Sequence, residues 1–348
     1  MDAGTDPNGK RLRKWHSGFA TKREAEQARV EILGRLSPSK VTVAEWLPLW
    51  LEGRTSIAET TRNGYGVDVR RIVKELGPRR LQELSASLIQ AWYTKLGDKY
   101  SAKTVKNTHG VLHKALSDAV RQGILVRNPA DDLELPRADK PETPAWTAEE
   151  LSKFLKNVAP HRLYAAWVLT CSTGMRRSEV LGVRWQNLDL KRRLLAVVDT
   201  VVPVNNRPVL RIGETKSRRS RRVIALDEMT VTVLKEHRKR QNAERLRAGE
   251  AWEDLDLVFT NPLGGMVSPD WFTRTTKALA VEAGVRPLTP HPAGRHTWAT
   301  LAMQSGVHVK VVSERLGHSS VAITLDRYSH VTEGMDREAA ETVAALIK

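Results

Sequence analysis

The chain has 348 residues, 41% of them hydrophobic, which suits two or three domains with ordinary cores and excludes a disordered tail or a small staple-dependent module. Lysine and arginine number 56 against 40 aspartates and glutamates, a formal charge of +16 that favours a polyanionic partner over mere solubility. Cys171 is the sole cysteine, so an internal disulfide and a cysteine-based zinc site are excluded, and no apolar run approaches the roughly 20 residues of a membrane span.

Residues 1 to 20 read as strand, turn and strand, with turn chemistry at Asp6-Pro7-Asn8-Gly9 ahead of the basic, bulky run KRLRKWHSGF. Met1 falls almost inside the first strand, so an upstream strand is expected to be missing or poorly defined. The first residues, MDAGTDPNGKRLRKW, have no apolar core of a secretory signal, and a reducing, cytoplasmic setting is expected. Thr21 with Glu24 forms a capping box at the head of a helix whose small and apolar positions recur at Ala25, Ala28, Ile32 and Leu36. Residues 1 to 36 therefore make a small strand-plus-helix unit, and SPSK at 37 to 40 is a short linker.

Residues 41 to 135 carry repeated helical patterns and predict an all-α domain. Trp46, Leu47, Trp50 and Leu51 share one face; Tyr65, Val69, Ile72, Val73 and Leu76 share another, stopped by Gly77-Pro78. Leu88, Ile89, Trp92 and Leu96 mark a third helix, and Val105, Val111, Leu112, Ala115, Leu116 and Val120 a fourth. Arg70, Arg71, Lys103, Lys106 and Lys114 lie on exposed faces, as a solvated surface or as phosphate contacts.

PRADKPETPAW at 136 to 146 has the composition of a semi-rigid interdomain linker. From Thr147 to the end, a third region opens with an N-cap and acidic first turn in TAEEL and stays helical to about Trp185. It becomes strand-like from Leu194 to Leu226, around a turn at Asn205-Asn206, and is helical again after Asp227. The fold class expected is α+β multidomain, its last domain mainly α with a small antiparallel sheet.

Four segments of that third region gather chemistry. TGMRRSEVLGVRW at 173 to 185 clusters Arg176, Arg177 and Arg184 near Glu179. It reads as an amphipathic helix with a charged face, and equally as an arginine placed at a helix start to grip a phosphate. ETKSRRSRRVIAL at 214 to 226 crowds Lys216, Arg218, Arg219, Arg221 and Arg222 into seven positions, which repel one another unless an anion lies opposite. LTPHPAGRHTWATLAM puts His291, Arg295 and His296 at the head of a helix, where donors converge on an anion. In ERLGHSSVAITLDRYSHV a helix stops and restarts at Leu316-Gly317-His318, ten residues before Tyr328. A lone tyrosine is usually an amphipathic core-edge residue, but this one keeps company with arginines, a lysine and histidines and no acidic metal cluster. Such a set suits metal-free phosphoryl transfer. A phenol, with its pKa near 10, needs neighbouring cations and a proton acceptor to attack.

In this order the four segments resemble those of the tyrosine recombinases, specifically phage-type integrases, over essentially the whole chain. The resemblance makes Arg176, in TGMRRSE, the arginine of the scissile phosphate, with Glu179 as its supporting acid. It makes Lys216 the lysine of the interstrand turn, Arg295 the second arginine, His318 of LGHS the late histidine and Tyr328 of TLDRYSH the nucleophile. One departure stands in the third segment. The family places a histidine three residues before that arginine, where this chain has Pro292; His291 lies four before it and is retained for the role, with His296 as a supporting residue.

The resemblance further implies that residues 1 to 36 are an arm-site DNA-binding domain using Lys10, Arg11, Arg13 and Lys14, that 41 to 135 bind the core site, and that 147 to 348 are catalytic, with DNA contacts from Arg218, Arg219 and Arg221. The tail VTEGMDREAAETVAALIK would pack on its own or a neighbouring protomer of a DNA-bound tetramer. The partners implied are double-stranded attachment sites, an excision factor and a host DNA-bending protein, with no membrane, no metal and no cofactor, in the cytoplasm at the nucleoid. A type IB topoisomerase and a non-catalytic helix-turn-helix regulator stay open as alternatives.

Overall fold

The structure, a computed structural model, describes residues 2–5, 11–13, 41–137, 144–204, 207–213, 221–328, 344–345 and 347. The chain divides into two compact units, Met1–Lys140 and Pro141–Lys348. Among the described residues, no helix is long and apolar enough to cross a membrane. The helix expected at 21 to 36 and the turn at Asp6 to Gly9 lie outside the described residues, as does nearly all of the C-terminal tail.

In the first unit β1 (Asp2–Thr5) pairs antiparallel with β2 (Arg11–Arg13), Asp2 opposite Arg13 and Thr5 opposite Arg11. Among the described residues four α-helices follow: α1 (Val43–Glu52), α2 (Glu59–Leu76), α3 (Ala86–Gly97) and α4 (Ala102–Arg121). α1 starts where Thr42 and Glu45 cap each other, Oγ1 of Thr42 accepting from Glu45 N at 3.3 Å and the Glu45 carboxylate from Thr42 N at 2.9 Å. The helices bury one shared core of Trp46, Leu47, Ile72, Ile89, Trp92, Leu112 and Leu116. Two indoles enter it with their N–H groups satisfied, Trp46 donating to the Ala115 carbonyl at 3.0 Å and Trp50 to the Asp118 carboxylate at 2.7 Å.

The second unit is built around a helix buried on every side. α5 (Ala148–Asn157) packs on α6 (Tyr164–Thr173), whose Ala165 to Cys171 are all buried, and α7 (Arg177–Leu181) follows a short turn. Trp146 closes the Pro-rich stretch assigned to a linker, yet it already belongs to this core. It is 1% exposed, its ring lies 4.7 Å from that of Phe154, and its indole donates to the Arg286 carbonyl at 2.8 Å. So large an apolar surface is favourable only when buried, and the packed unit therefore begins inside the stretch.

Strands β3 (Leu188–Asp189), β4 (Leu194–Val197) and β7 (Arg222–Ala225) form one antiparallel sheet in the order β3-β4-β7, with Leu195 opposite Ile224. β5 (Thr200–Val204) and β6 (Arg207–Arg211) form a separate hairpin. The small antiparallel sheet expected is present, and among the described residues the hairpin stands beside it as a second one. Buried Asp199, between β4 and β5, accepts from Asn187 Nδ2 at 2.8 Å and from Gly213 N at 2.7 Å. The unit continues through α8 (Glu228–Ala248), α9 (Pro269–Glu282), a π-helical turn (His291–His296), α10 (Thr297–Gln304), α11 (Val309–Leu316) and α12 (Val321–Tyr328).

Candidate active site

The end of α11 organises the site. A helix C-terminus leaves carbonyls unpaired and carries partial negative charge, so it draws cations. Here three arginines from three elements take three successive carbonyls. Arg222 of β7 donates through Nε to Arg315 O at 2.6 Å, Arg295 of the π turn to Leu316 O at 2.7 Å, and Arg176, which caps α7, to Gly317 O at 3.3 Å. Arg295 also reaches the carbonyl of Gly174, the cap of α6, at 3.1 Å. It is 2% exposed, and burial next to Arg176 pushes its pKa down to about 9, which leaves it charged at neutral pH.

Glu179 offsets this positive charge. Its carboxylate, 3% exposed, accepts from Arg176 Nη1 at 2.7 Å and the Arg176 backbone N at 2.9 Å, and from Arg222 at 2.9 and 3.2 Å. Burial opposes its ionisation, but the Arg222 hydrogen bonds and the charges of Arg222 and Arg176 outweigh that and hold the carboxyl below its usual range. Arg177 and Arg184, grouped with Glu179 in the sequence reading, do not reach it. Arg177 donates to the Pro269 carbonyl at 2.9 Å and Arg184 pairs with Asp256 at 3.7 Å. The turn of α7 swings residue 177 away, and Arg222, from the strand, takes the place beside the acid.

Gly317, left-handed at φ 66°, ends α11 and turns the chain so that His318 faces α12. His318 Nδ1 lies 2.8 Å from Oγ1 of buried Thr324, and Tyr328 stands one turn further on the same face of that helix. Tyr328 is 1% exposed and its Oη lies 2.6 Å from Nδ1 of His296. Burial pushes the phenol up to about 12 against the opposing charges of Arg295 and Arg327. Burial and the neighbouring cations push His296 and His318 down to about 3, so both imidazoles are neutral at neutral pH.

The π turn explains the irregular third segment. HPAGRH occupies His291–His296, and an extra residue in a helix is accommodated as a π-bulge. In that wider turn, residues four apart come nearly onto one face, which brings His291 back toward Arg295. Its ring meets His296 edge-on, centroids 4.5 Å apart. The surrounding protein, with Arg295, Arg327 and Arg176, lowers His291 to about 4, although the residue keeps an open face to solvent. The turn runs directly into α10, and Arg295 and His296 enter the site through their side chains.

The π turn needs Gly294. A Cβ there would lie 2.4 Å from Thr170 Cγ2 and 2.9 Å from Thr170 O on α6, which is itself packed all round. Gly294→Ala is expected to destabilise the unit by about 1–3 kcal/mol. The check is urea unfolding: the midpoint should fall with the m value unchanged, and an unmoved midpoint refutes the close packing.

Of the residues singled out in the sequence, the structure thus brings together Arg176, Glu179, His291, Arg295, His296, His318 and Tyr328. Lys216, Arg218 and Arg219 lie outside the described residues, as do Lys10 and Lys14. Arg11 and Arg13 sit on β2, and Arg221 is exposed with its guanidinium on the Gly213 carbonyl. Missed were Arg222 as the second partner of Glu179, Thr324 as the partner of His318, and Arg327 beside the phenol. The i, i+4 spacing of Thr324 and Tyr328 was a usable signal for the second.

A model described as the phage integrase family matches residues 145–335, one described as phage integrase, N-terminal SAM-like domain matches 47–123, and an Arm DNA-binding domain model matches 1–36. The tyrosine recombinase XerC-like protein of Caldanaerobacter subterraneus subsp. tengcongensis is 32% identical across 99% of this chain and 94% of its own length. The integrase of Mycobacterium phage L5 is 27% identical across 90% and 82%. Among solved structures, the Tn1549 transposon integrase in complex with transposon right end DNA superposes with a TM-score of 0.75 at 21% identity, covering 87% of this chain and 100% of that one. A lambda integrase tetramer bound to a Holliday junction gives 0.64 at 18%, covering 93% and 92%.

Proposed function

The chain belongs to the phage integrase family of tyrosine recombinases and is a site-specific DNA recombinase, and from that premise we propose that Tyr328 is the residue through which it cuts and rejoins DNA. The observation that carries this reading is the convergence of Arg176 and Arg295 on the turn that leads, through His318, into the helix of Tyr328. The phenol attacks a phosphodiester, a 3′-phosphotyrosyl bond forms and a 5′-hydroxyl leaves, and that hydroxyl of one duplex then attacks the phosphotyrosyl of the other. The covalent link keeps the energy of the broken diester.

Arg176, Arg295 and His318 stabilise the charge growing on the transferring phosphoryl group, and fixed donors of this kind are worth roughly 3 kcal/mol each. Glu179 holds Arg176. Lys216 protonates the leaving 5′-oxygen and His291 assists proton transfer. Residues 1–36 bind arm sites through Lys10, Arg11, Arg13 and Lys14; residues 41–135 bind the core site; 147–348 catalyse, with Arg218, Arg219 and Arg221 on the DNA backbone. The protein works as a tetramer on paired sites at the nucleoid in the cytoplasm, with an excision factor and a host DNA-bending protein. The lambda integrase tetramer and the DNA complex of the Tn1549 integrase support the assembly and the substrate.

The test starts from footprinting on DNA flanking the encoding gene, and the protected sequences are then placed as a pair on one plasmid. The paired sites should recombine and a single site should not. Relaxation of a single-site plasmid with no exchange between paired sites would overturn the reading.

A further inference from the structure

We infer that His296 takes the phenolic proton of Tyr328 as the DNA strand is cut and returns it as the strand is rejoined. The inference rests on the reading of Tyr328 as nucleophile and adds the group that makes its oxygen reactive.

The geometry assigns the role within the site. His296 Nδ1 lies 2.6 Å from Tyr328 Oη, while His291, the residue expected to move protons by family resemblance, touches the ring of His296 instead. The π turn accounts for this division. Arg295 and His296 are consecutive and project in different directions, Arg295 to the carbonyls of Gly174 and Leu316, His296 to α12. His296 is 3% exposed and Tyr328 1%, so the pair is shielded from bulk water, and a proton leaving Oη has the imidazole as its immediate acceptor.

The charge state fits an acceptor. With its pKa near 3, His296 is neutral in the resting site, and the tautomer protonated on Nε2 offers its Nδ1 lone pair to the phenol. The bond then holds the tyrosine unionised and in place. A phosphodiester entering among the arginines brings negative charge that favours an imidazolium, so basicity rises when substrate is bound. In the step itself the Oη–H bond breaks and its proton passes to Nδ1. The Oη–P bond forms, the P–O5′ bond breaks, and O5′ receives a proton from Lys216. Rejoining reverses each transfer, and the proton on His296 goes back to the departing phenolate.

The experiment uses the full chain on a nicked suicide substrate, with the rate of SDS-stable adduct read for wild type, His296→Asn, His296→Ala, His291→Ala and Lys216→Ala. Each is run on normal DNA and on DNA with sulfur as the bridging 5′ atom. Asparagine keeps a hydrogen-bonding group near the Nδ1 position, so the fold and the tyrosine are retained, but it accepts no proton; it decides the matter should the alanine variant fail to fold. His296→Asn is expected to retain binding in a gel shift and to slow adduct formation about 10²–10⁴-fold. Sulfur leaves without protonation, so it should restore Lys216→Ala and leave His296→Asn slow. A His296→Asn rate near that of wild type, rescue of that variant by sulfur, or a larger loss in His291→Ala would each overturn the assignment. If wild type itself forms no adduct through Tyr328, the reading of the nucleophile falls first and this inference with it.

Discussion

Tyr328→Phe is expected to abolish covalent capture of DNA while leaving binding intact. The substitution removes one oxygen from a ring that is 1% exposed, so the packing of α12 is unchanged in shape. What it leaves behind is His296 Nδ1 without its partner at 2.6 Å, a local cost of about 1–3 kcal/mol in stability. DNA affinity comes from cations spread over the chain, none of which is touched, so the gel shift and its salt dependence should match wild type. Cleavage, in contrast, is expected to find no substitute among the described residues of the site. His296 and His318 are neutral and held in hydrogen bonds, and buried Cys171 is pushed up to about 12, so none is a ready second nucleophile. The loss should exceed about 10⁴-fold. The measurement is the SDS-resistant adduct on a nicked suicide substrate, followed by peptide mapping of the wild-type adduct. An adduct formed by the phenylalanine variant, or a DNA-bearing peptide that excludes residue 328, would refute it.

The parts of this site legible in the sequence are those written in short local patterns. Arg176 reads as an arginine at a helix start near Glu179, because capping chemistry spans only a few residues, and Leu316-Gly317-His318 reads as a stop because a left-handed residue closes α11. The helix end at Gly174 was not read. The helical first unit was legible for the same reason: its apolar positions recur at the helical period, and Trp46, Leu47 and Trp50 are indeed buried together. What stayed hidden depends on distant approach. Arg222 stood among five cations in a short run, and nothing local distinguished it from Arg221; only the fold does, with Arg222 starting β7 against Glu179 and Arg221 exposed ahead of the strand. The bond between His296 and Tyr328 spans 32 residues. The π turn looked like a defect in a motif, because a one-residue insertion has the same signature whether it breaks a site or is absorbed by a wider turn.

Removing the acid that Arg222 faces should have the second large effect. Glu179→Ala leaves Arg222, whose side chain is 8% exposed, without its carboxylate and beside Arg176 and Arg295. Breaking a buried pair from one side costs about 3–5 kcal/mol, because the remaining charge stays desolvated. The alanine variant should therefore unfold at markedly lower urea at pH 7, and a change under about 1 kcal/mol would show the charges to be balanced elsewhere. Glu179→Gln keeps an acceptor but loses the charge, and its loss should be smaller. The pH dependence separates charge from shape. The Glu179 carboxyl ionises more readily in the folded chain than at its ordinary 4.5, so its contribution is complete above that value and disappears as the pH falls through the lower folded one. His296 and His318 act in the same direction at higher pH. Each is held near 3 when folded against 6.5 when free, so acid below about 6.5 protonates the unfolded chain preferentially and favours it. Both proteins share that histidine slope. The gap between wild type and Glu179→Gln should accordingly stay constant from pH 7 to about 5 and close only as the carboxylate itself is protonated. A gap that persists into strong acid would mean that Glu179 holds the arginines by its shape and hydrogen bonds, and not by its charge.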